Sequence, residues 1–317
     1  MLPDALRTEL AAVPGLRLLS QPEELERLSR DAYDYSPVLS QRLAHCRAEL
    51  VVRPDSVEAV VRVAAACRRH AVPLTLRGSG TGNYGQSVPL ESGVVMVMTQ
   101  LRAVRSIDQS SGVAEVECGC LMKDLNRELA GFGRQLRLMP STWRSATIGG
   151  FIAGGSGGIG SVRWGFLRDP GHLLGLEVVT MEQEPRVLQL EASDAEALNH
   201  AYGTNGIITA LRLATALHVD WQEVVVDCPD WATAVELARR CSSAAIDLHL
   251  CTVLEAAVVE LLPKWDLPER RCDRLLLLVA PDAVSTVQRL SAAVGADLTH
   301  LGCLLYTSPS PRDLMRS

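Results

Sequence analysis

The apolar and polar positions of this chain change rhythm along its length. Residues 1–48 read as a helical lead-in, clearest in Pro22-Glu23-Glu24-Leu25-Glu26-Arg27-Leu28. Leu50-Val51-Val52 is then a short apolar strand. Pro54-Asp55 opens a helix with Asp55 as the expected cap, Glu58 three residues on, and Val57, Val60, Val61, Ala64 and Cys67 on one face. Val72-Pro73-Leu74-Thr75-Leu76 is short enough to be a second buried strand, so the stretch makes a β-α-β unit with an expected right-handed crossover. Val94–Thr99 follows as a strand and Val113–Cys118 alternates as a half-buried one, ahead of a helix carrying Leu121, Leu125 and Leu129. Leu173–Thr180 and Arg186–Leu190 read as two strands joined by a polar turn. From about residue 216 the texture is different. Val224–Val226, Trp231–Arg240, Asp247–Val253, Ala256–Leu262, Arg274–Ala280 and Ala283–Val294 alternate strand and helix, the pattern of a separate α+β lobe.

Three glycine blocks interrupt this pattern. The first, Arg77-Gly78-Ser79-Gly80-Thr81-Gly82-Asn83-Tyr84-Gly85-Gln86, follows the second strand. Its glycines let the backbone turn sharply and approach a ligand with no Cβ in the way. Successive N–H groups in such a loop form a nest for an anion, with Ser79, Thr81 and Asn83 as extra donors, and a pyrophosphate fits a loop of this length. Gly80, Gly82 and Gly85 spell G-x-G-x-x-G, but a Rossmann fingerprint must open a helix and place an acid about 20 residues on. Here Pro89 and Gly93 break any helix, Gln100 stands where the acid belongs, and Val94–Met98 reads as a strand. No Gly-Lys-Ser/Thr follows, which excludes a Walker loop.

The second block, Gly149–Gly160, holds seven glycines in twelve positions, a density that no ordinary core helix is expected to tolerate. Apolar and aromatic neighbours such as Phe151 and Trp164 argue against a flexible linker and for backbone packed on a flat ligand. The third is Gly203-Thr204-Asn205-Gly206-Ile207-Ile208, a turn entering an apolar strand.

Composition narrows the classes. The 317 residues suffice for two domains with cores, and no run of 18 apolar residues marks a membrane span. The formal charge of −6 argues against nucleic acid as the main partner. Nine scattered cysteines, an odd count, read as reduced thiols of a cytoplasmic protein; Met1-Leu2-Pro3-Asp4 does not open a signal peptide. Cys118-Gly119-Cys120 is the one close pair, and with no Cys/His cluster beside it no metal is expected.

Taken together, the blocks resemble the FAD-binding (PCMH-type) domain of the vanillyl-alcohol oxidase family, in its glycolate oxidase and D-lactate dehydrogenase-like branch. The likeness rests on RPDSVEAVVRVAAACRRHAVPLTLRGSGTGNYGQ, on TIGGFIAGGSGG through RWGFLRDPGHLLGLEVV, and on GTNGIITAL. It implies an α+β fold with an FAD domain of two α/β subdomains over 49–215, followed by a partial ferredoxin-like substrate cap over 216–302. Arg77, Gly78, Ser79, Gly80, Thr81, Gly82 and Asn83 would cradle the pyrophosphate, with Gly85 and Gln86 completing the loop. Ser141, Thr142, Thr147, Gly149, Gly150 and Ala153 would line the flavin and its phosphates. Gly157, Gly158 and Val162 would flank the ring edge, and Ile207 would pack at the adenine–ribose side. Relatives that attach flavin covalently use a histidine in their first loop; Asn83-Tyr84 stands there, which implies non-covalent FAD.

The implied activity is oxidation of a small 2-hydroxy acid by hydride transfer to flavin N5, with quinone, dioxygen or a redox partner subunit as acceptor. Arg163 and Arg168 are the candidates to hold a substrate carboxylate; no catalytic base is named, His172 included. Two other readings stay open: a flavin-binding subunit without turnover, and a reductase of the UDP-sugar type on the same FAD fold. Residues 303–317, with two Ser-Pro steps, read as a translated sequencing adapter. The lobe before them is therefore expected to be half-formed, exposing apolar side chains such as Leu275–Val279.

Overall fold

The computed structural model describes residues 2–155, 157–260 and 271–302. The expected tail at 303–317 and the end of the helix placed over Ala256–Leu262 lie outside them. The chain divides into two compact units: Met1–Ser156 with Leu167–Leu217, and the described residues of Gly157–Phe166 with those of His218–Ser317.

The first unit starts with helix α1 (Asp4–Ala11), strand β1 (Leu16–Leu19) and helices α2 (Pro22–Leu28) and α3 (Pro37–Leu43). β2 (Leu50–Pro54), α4 (Val57–Arg69), β3 (Leu74–Arg77) and β4 (Val94–Val97) complete a four-stranded sheet in the order β1-β2-β4-β3. β1 pairs antiparallel with β2, so the lead-in is a sheet edge as well as a set of helices. β2 and β3 both pair parallel with β4, which slots between the two strands joined by α4. The cap of α4 differs from expectation. Ser56, not Asp55, accepts from the Ala59 N–H, and the buried face is Ala59, Val60, Val63, Ala64, Ala66 and Cys67. Moving the helix start by one residue leaves Val57 and Val61 at its margins.

The second sheet runs β5 (Val104–Asp108), β6 (Val113–Glu117), β10 (Ile207–Leu217), β8 (Leu173–Val179) and β9 (Val187–Glu191), with β7 (Arg134–Leu136) on the far end of β10. Helix α5 (Met122–Ala130) buries Met122, Leu125 and Leu129. Helices α6 (Ile148–Gly154) and α8 (Ala192–Ala195) lie between strands in sequence, and α7 (Ser161–Trp164) belongs to the segment that clusters with the other unit.

That other unit has the order β11 (Gln222–Cys228), α9 (Trp231–Ser243), β12 (Leu248–Leu254), α10 (Ala256–Val259), β13 (Asp273–Val279), α11 (Val284–Ala292), β14 (Asp297–Gly302). Its antiparallel sheet, β12-β13-β11-β14, is the ferredoxin-like β-α-β-β-α-β arrangement, with all six elements among the described residues. β14 has no counterpart in the sequence reading. The expected exposure of Leu275–Val279 is not found: β13 sits inside the sheet and Leu275, Leu276, Leu277, Leu278 and Val279 are all buried. Leu275, Leu277 and Val279 pack with Val224, Val226, Leu237 and Val287 in one core.

Candidate functional site

The glycine loop leaves β3 and returns to β4 without forming a helix, which disposes of the Rossmann alternative. Among the described residues no hydrogen bond engages the backbone N–H of Gly78, Ser79, Gly80, Thr81, Gly82 or Asn83. Six successive donors without a protein partner are unusual in a folded chain and suit an anion. The loop is braced from behind. Arg77 turns inward, is buried, and donates from Nη1 to the Arg30 carbonyl at 2.6 Å and to Ser87 Oγ at 3.3 Å. Buried Asp31 accepts from the N–H of Tyr33 (3.0 Å) and of Ser87 (3.5 Å); its burial raises its pKa, against the pull of Arg77. Gly82 is held through its carbonyl, which accepts from Ala32 N–H at 2.7 Å. Gly80 is left-handed, φ 72°, and a Cβ there would fall on the Arg77 guanidinium. A side chain at Gly80 thus displaces the brace itself, a different effect from blocking a phosphate path.

The second block holds a helix after all. α6 begins at Thr147, whose hydroxyl accepts from Gly150 N–H at 3.3 Å, and it contains Gly149, Gly150 and Gly154. Packing overrides propensity here because the glycines permit close approach: a Cβ on Gly149 would lie 2.5 Å from Cys118 Cβ and 2.8 Å from its carbonyl oxygen. The Ile148 and Gly149 N–H groups donate to the carbonyls of Cys120 and Cys118. This gives Cys118-Gly119-Cys120 a structural role. Burial pushes Cys118 up to about 12 and Cys120 to about 11, so both thiols stay protonated. Among the described residues the opposite side of α6 is bare. Gly150 is exposed, Ala153 half-buried, and nothing lies within 4 Å of a Cβ on Gly154.

The three blocks meet inside the first unit. A Cβ on Gly78 would fall on the Thr147 hydroxyl, joining the first loop to the start of α6. Gly203 packs against Leu76 at the end of β3, and the turn just before the third block reaches the other end of α6, where His200 and Tyr202 N–H donate to the carbonyls of Ile152 (3.0 Å) and Ala153 (2.9 Å). Ser141 is an exposed turn residue and Thr142 a buried one that closes the turn leading to α6. Ile207 lies in β10 opposite Val179 and is buried in the core.

Other expected residues lie on further segments of the chain. Gly157, Gly158 and Val162 belong to the second unit, as does Arg163. Arg163 pairs with Asp247, and its guanidinium lies 5.4 Å from the Trp164 ring centroid and 5.8 Å from that of Trp221. Arg168 is in the first unit, its Nε 3.7 Å from Glu196. Both candidate carboxylate holders thus have carboxylate partners. Gly154, His200 and Tyr202 escaped the sequence reading; the glycine density signalled the first, but nothing in local pattern marked the other two. Among the described residues no helix is long and apolar enough to cross a membrane, and no three His, Cys, Asp or Glu side chains gather as a metal site.

Comparison with known proteins fits this geometry. Residues 48–187 match the FAD binding domain family. Glycolate oxidase subunit GlcD of Escherichia coli is 31% identical over 202 residues, 61% of this chain and 38% of that protein. Mitochondrial D-2-hydroxyglutarate dehydrogenase of Bos taurus is 26% identical over 92% of this chain and 52% of its own length. A D-lactate dehydrogenase of Anaerostipes hadrus is 29% identical over 53% of this chain and 36% of that protein. The chain therefore spans about half, or less, of the length of these relatives. Among solved structures, alkyldihydroxyacetonephosphate synthase superposes with a TM-score of 0.83 at 19% identity, covering 99% of this chain and 68% of that one. A BBE-like protein of Physcomitrella patens gives 0.72 at 15% identity, over 93% of this chain and 61% of its own. Residues 48–187 thus match the FAD binding domain family, and the chain is similar to glycolate oxidase subunits and to D-2-hydroxyglutarate and D-lactate dehydrogenases.

Proposed function

We propose that this chain is the FAD-holding part of an oxidoreductase that oxidises a 2-hydroxy acid of the D-lactate or glycolate kind, with the FAD bound non-covalently. The convergence of three distant glycine blocks around six unengaged backbone N–H groups carries this reading. Those groups, Gly78 to Asn83, would hold the pyrophosphate oxygens, with the Ser79 and Thr81 hydroxyls as further donors and the Arg77 brace keeping the loop open. The bare face of α6, Gly150, Ala153 and Gly154, would take a planar ring, while Gly149 secures the helix from behind. Bound FAD would supply the hydride acceptor at N5, with a quinone, dioxygen or a redox subunit as the onward electron acceptor.

Arg163 and Arg168 already face Asp247 and Glu196, so a substrate carboxylate would share or displace those partners. The loop carries Asn83-Tyr84 where covalent relatives have a histidine, which supports dissociable flavin. The eight free cysteines among the described residues suit a reducing compartment, and we propose a cytoplasmic location.

The purified protein should be yellow, and acid precipitation should release FAD into the supernatant. Flavin that stays with the pellet overturns the non-covalent attachment. A colourless protein that takes up no added FAD overturns the whole reading.

A further inference from the structure

Four described non-glycine residues have left-handed backbones: Ala71, Ser92, His200 and Tyr202. Ala71 ends the turn after α4 and Ser92 precedes Gly93, ordinary places for such a conformation. His200 and Tyr202 differ. They lie two residues apart in one turn, at φ 60° and 53°, a conformation that L side chains adopt only at a cost. Their N–H groups are fastened to the last carbonyls of α6, and the His200 ring covers Gly155, where a Cβ would fall on it. The strain secures no core contact. Both side chains are exposed, Tyr202 by 42%. They are tied to each other, His200 Nε2 to Tyr202 hydroxyl at 2.8 Å, with rings edge-to-face at 5.2 Å.

The backbone is thus held out of its preferred region where two exposed polar aromatic rings stand at the C-terminal end of α6. Their mutual hydrogen bond leaves more to offer. If the hydroxyl donates to Nε2, the Nδ1–H remains as donor and the phenol oxygen as acceptor. If Nε2–H donates, the hydroxyl proton and Nδ1 remain instead. Either way one donor and one acceptor stand next to an aromatic edge, the set that a planar nitrogen heterocycle matches.

We propose that His200 and Tyr202 are specificity-determining contacts for a heteroaromatic ring of the cofactor, at the edge of the Gly150–Ala153–Gly154 face. The proposal rests on the FAD reading above and adds two side chains that no glycine block contains. The two heteroaromatic ends of FAD, isoalloxazine and adenine, share this chemistry, and the test separates them.

The experiment uses the full chain with His200→Gly and Tyr202→Phe, measuring thermal midpoint without cofactor and affinity for FAD, FMN and ADP. Glycine suits the left-handed position, so His200→Gly should keep or raise the midpoint while the Kd for FAD rises about tenfold. Tyr202→Phe keeps the backbone and the ring but loses one hydrogen-bonding group; its Kd should rise about fivefold. Affinity lost for FMN assigns the pair to the isoalloxazine, and affinity lost for ADP assigns it to the adenine. If wild type binds FAD and both variants stay within twofold of it, the pair has only a structural role and the proposal falls. Wild type that binds no FAD is a separate outcome, which removes the FAD reading itself. Should His200→Gly fold poorly, the strain argument fails, and Tyr202→Phe still decides the contact.

Discussion

The two units use glycine and charge in opposite ways. In the first unit the glycines leave backbone donors unspent: six N–H groups of the first loop and one whole side of α6 have no protein partner among the described residues. In the second unit the corresponding groups are consumed. Gly160 N–H donates to the His249 carbonyl at 2.7 Å, Arg163 is paired with Asp247, and buried Arg274 is paired with Asp227. Gly149–Gly160, one continuous stretch to the eye, is divided between the two units, with Gly155 in the first and Gly157 in the second. Glycine density alone therefore does not mark a ligand. The loop proposed to hold the ligand is the one whose freed backbone finds no partner among the described residues.

The largest test of this contrast lies in the second unit. Asp227 and Arg274 are register partners on β11 and β13, their Oδ1–Nε distance is 2.8 Å, and both side chains are buried. Asp227→Ala strips a buried guanidinium of its carboxylate, which costs about 3–5 kcal/mol. Denaturant unfolding should show that loss, and Asp227→Ala combined with Arg274→Met should recover much of it. Folded Asp227→Ala protein should keep the FAD affinity of wild type. A matching drop in FAD affinity would mean that the second unit's packing serves the cofactor directly.

A smaller effect is expected from His249, which sits in the second unit at a bulge of β12 where the register shifts between Leu248 and Leu250. The ring is fully buried, stacks on Trp221 at 4.6 Å and 7°, and neither of its nitrogens has a hydrogen-bond partner among the described residues. Burial, and then the charge of Arg163, lowers its pKa from 6.5 to about 4. The unfolded chain thus binds a proton that the folded one refuses. Stability is therefore full above about pH 6.5 and falls progressively until pH reaches about 4, a difference of roughly 3 kcal/mol. His249→Phe keeps an aromatic stack without the titration, so its stability should fall less steeply between pH 6.5 and 4. Parallel profiles for the two proteins would show that the imidazole is not held neutral.

The sequence was most legible where local pattern and tertiary context agreed. β6 alternates as its residues do, α5 buries Leu125 and Leu129, and the loop after β3 is open, as Pro89 and Gly93 dictate. It was least legible where contacts distant in sequence decide. β1 is a strand because it pairs with β2, and β14 because it pairs with β11. α6 is a helix despite its glycines, because Cys118 requires Gly149 to have no side chain. His200 and Tyr202 carry no motif; their left-handed backbones are fastened to carbonyls of α6, far from them in sequence. For the proposed site, residue type singled out the glycine loop, whereas the inward turn of Arg77 depended on Arg30 and Ser87, which no spacing rule links to it.

The finest test sets the two sides of α6 against each other. A Cβ on Gly149 meets Cys118 main chain and side chain, so Gly149→Ala should destabilise the FAD-free protein. Gly154 has open space where its Cβ would stand and no left-handed φ, so Gly154→Ala should stabilise that same protein by about 0.5–1 kcal/mol, as alanine does in a helix. If the bare face receives a cofactor ring, the added methyl occupies ring space, and FAD affinity should fall although the protein is more stable. Opposite signs in the two measurements separate a face kept clear for a ligand from one that merely tolerates glycine. A Gly154→Ala protein that gains stability and binds FAD as wild type does would put the ring elsewhere, and would leave the backbone donors of Gly78 to Asn83 as the whole of the site that the first unit provides.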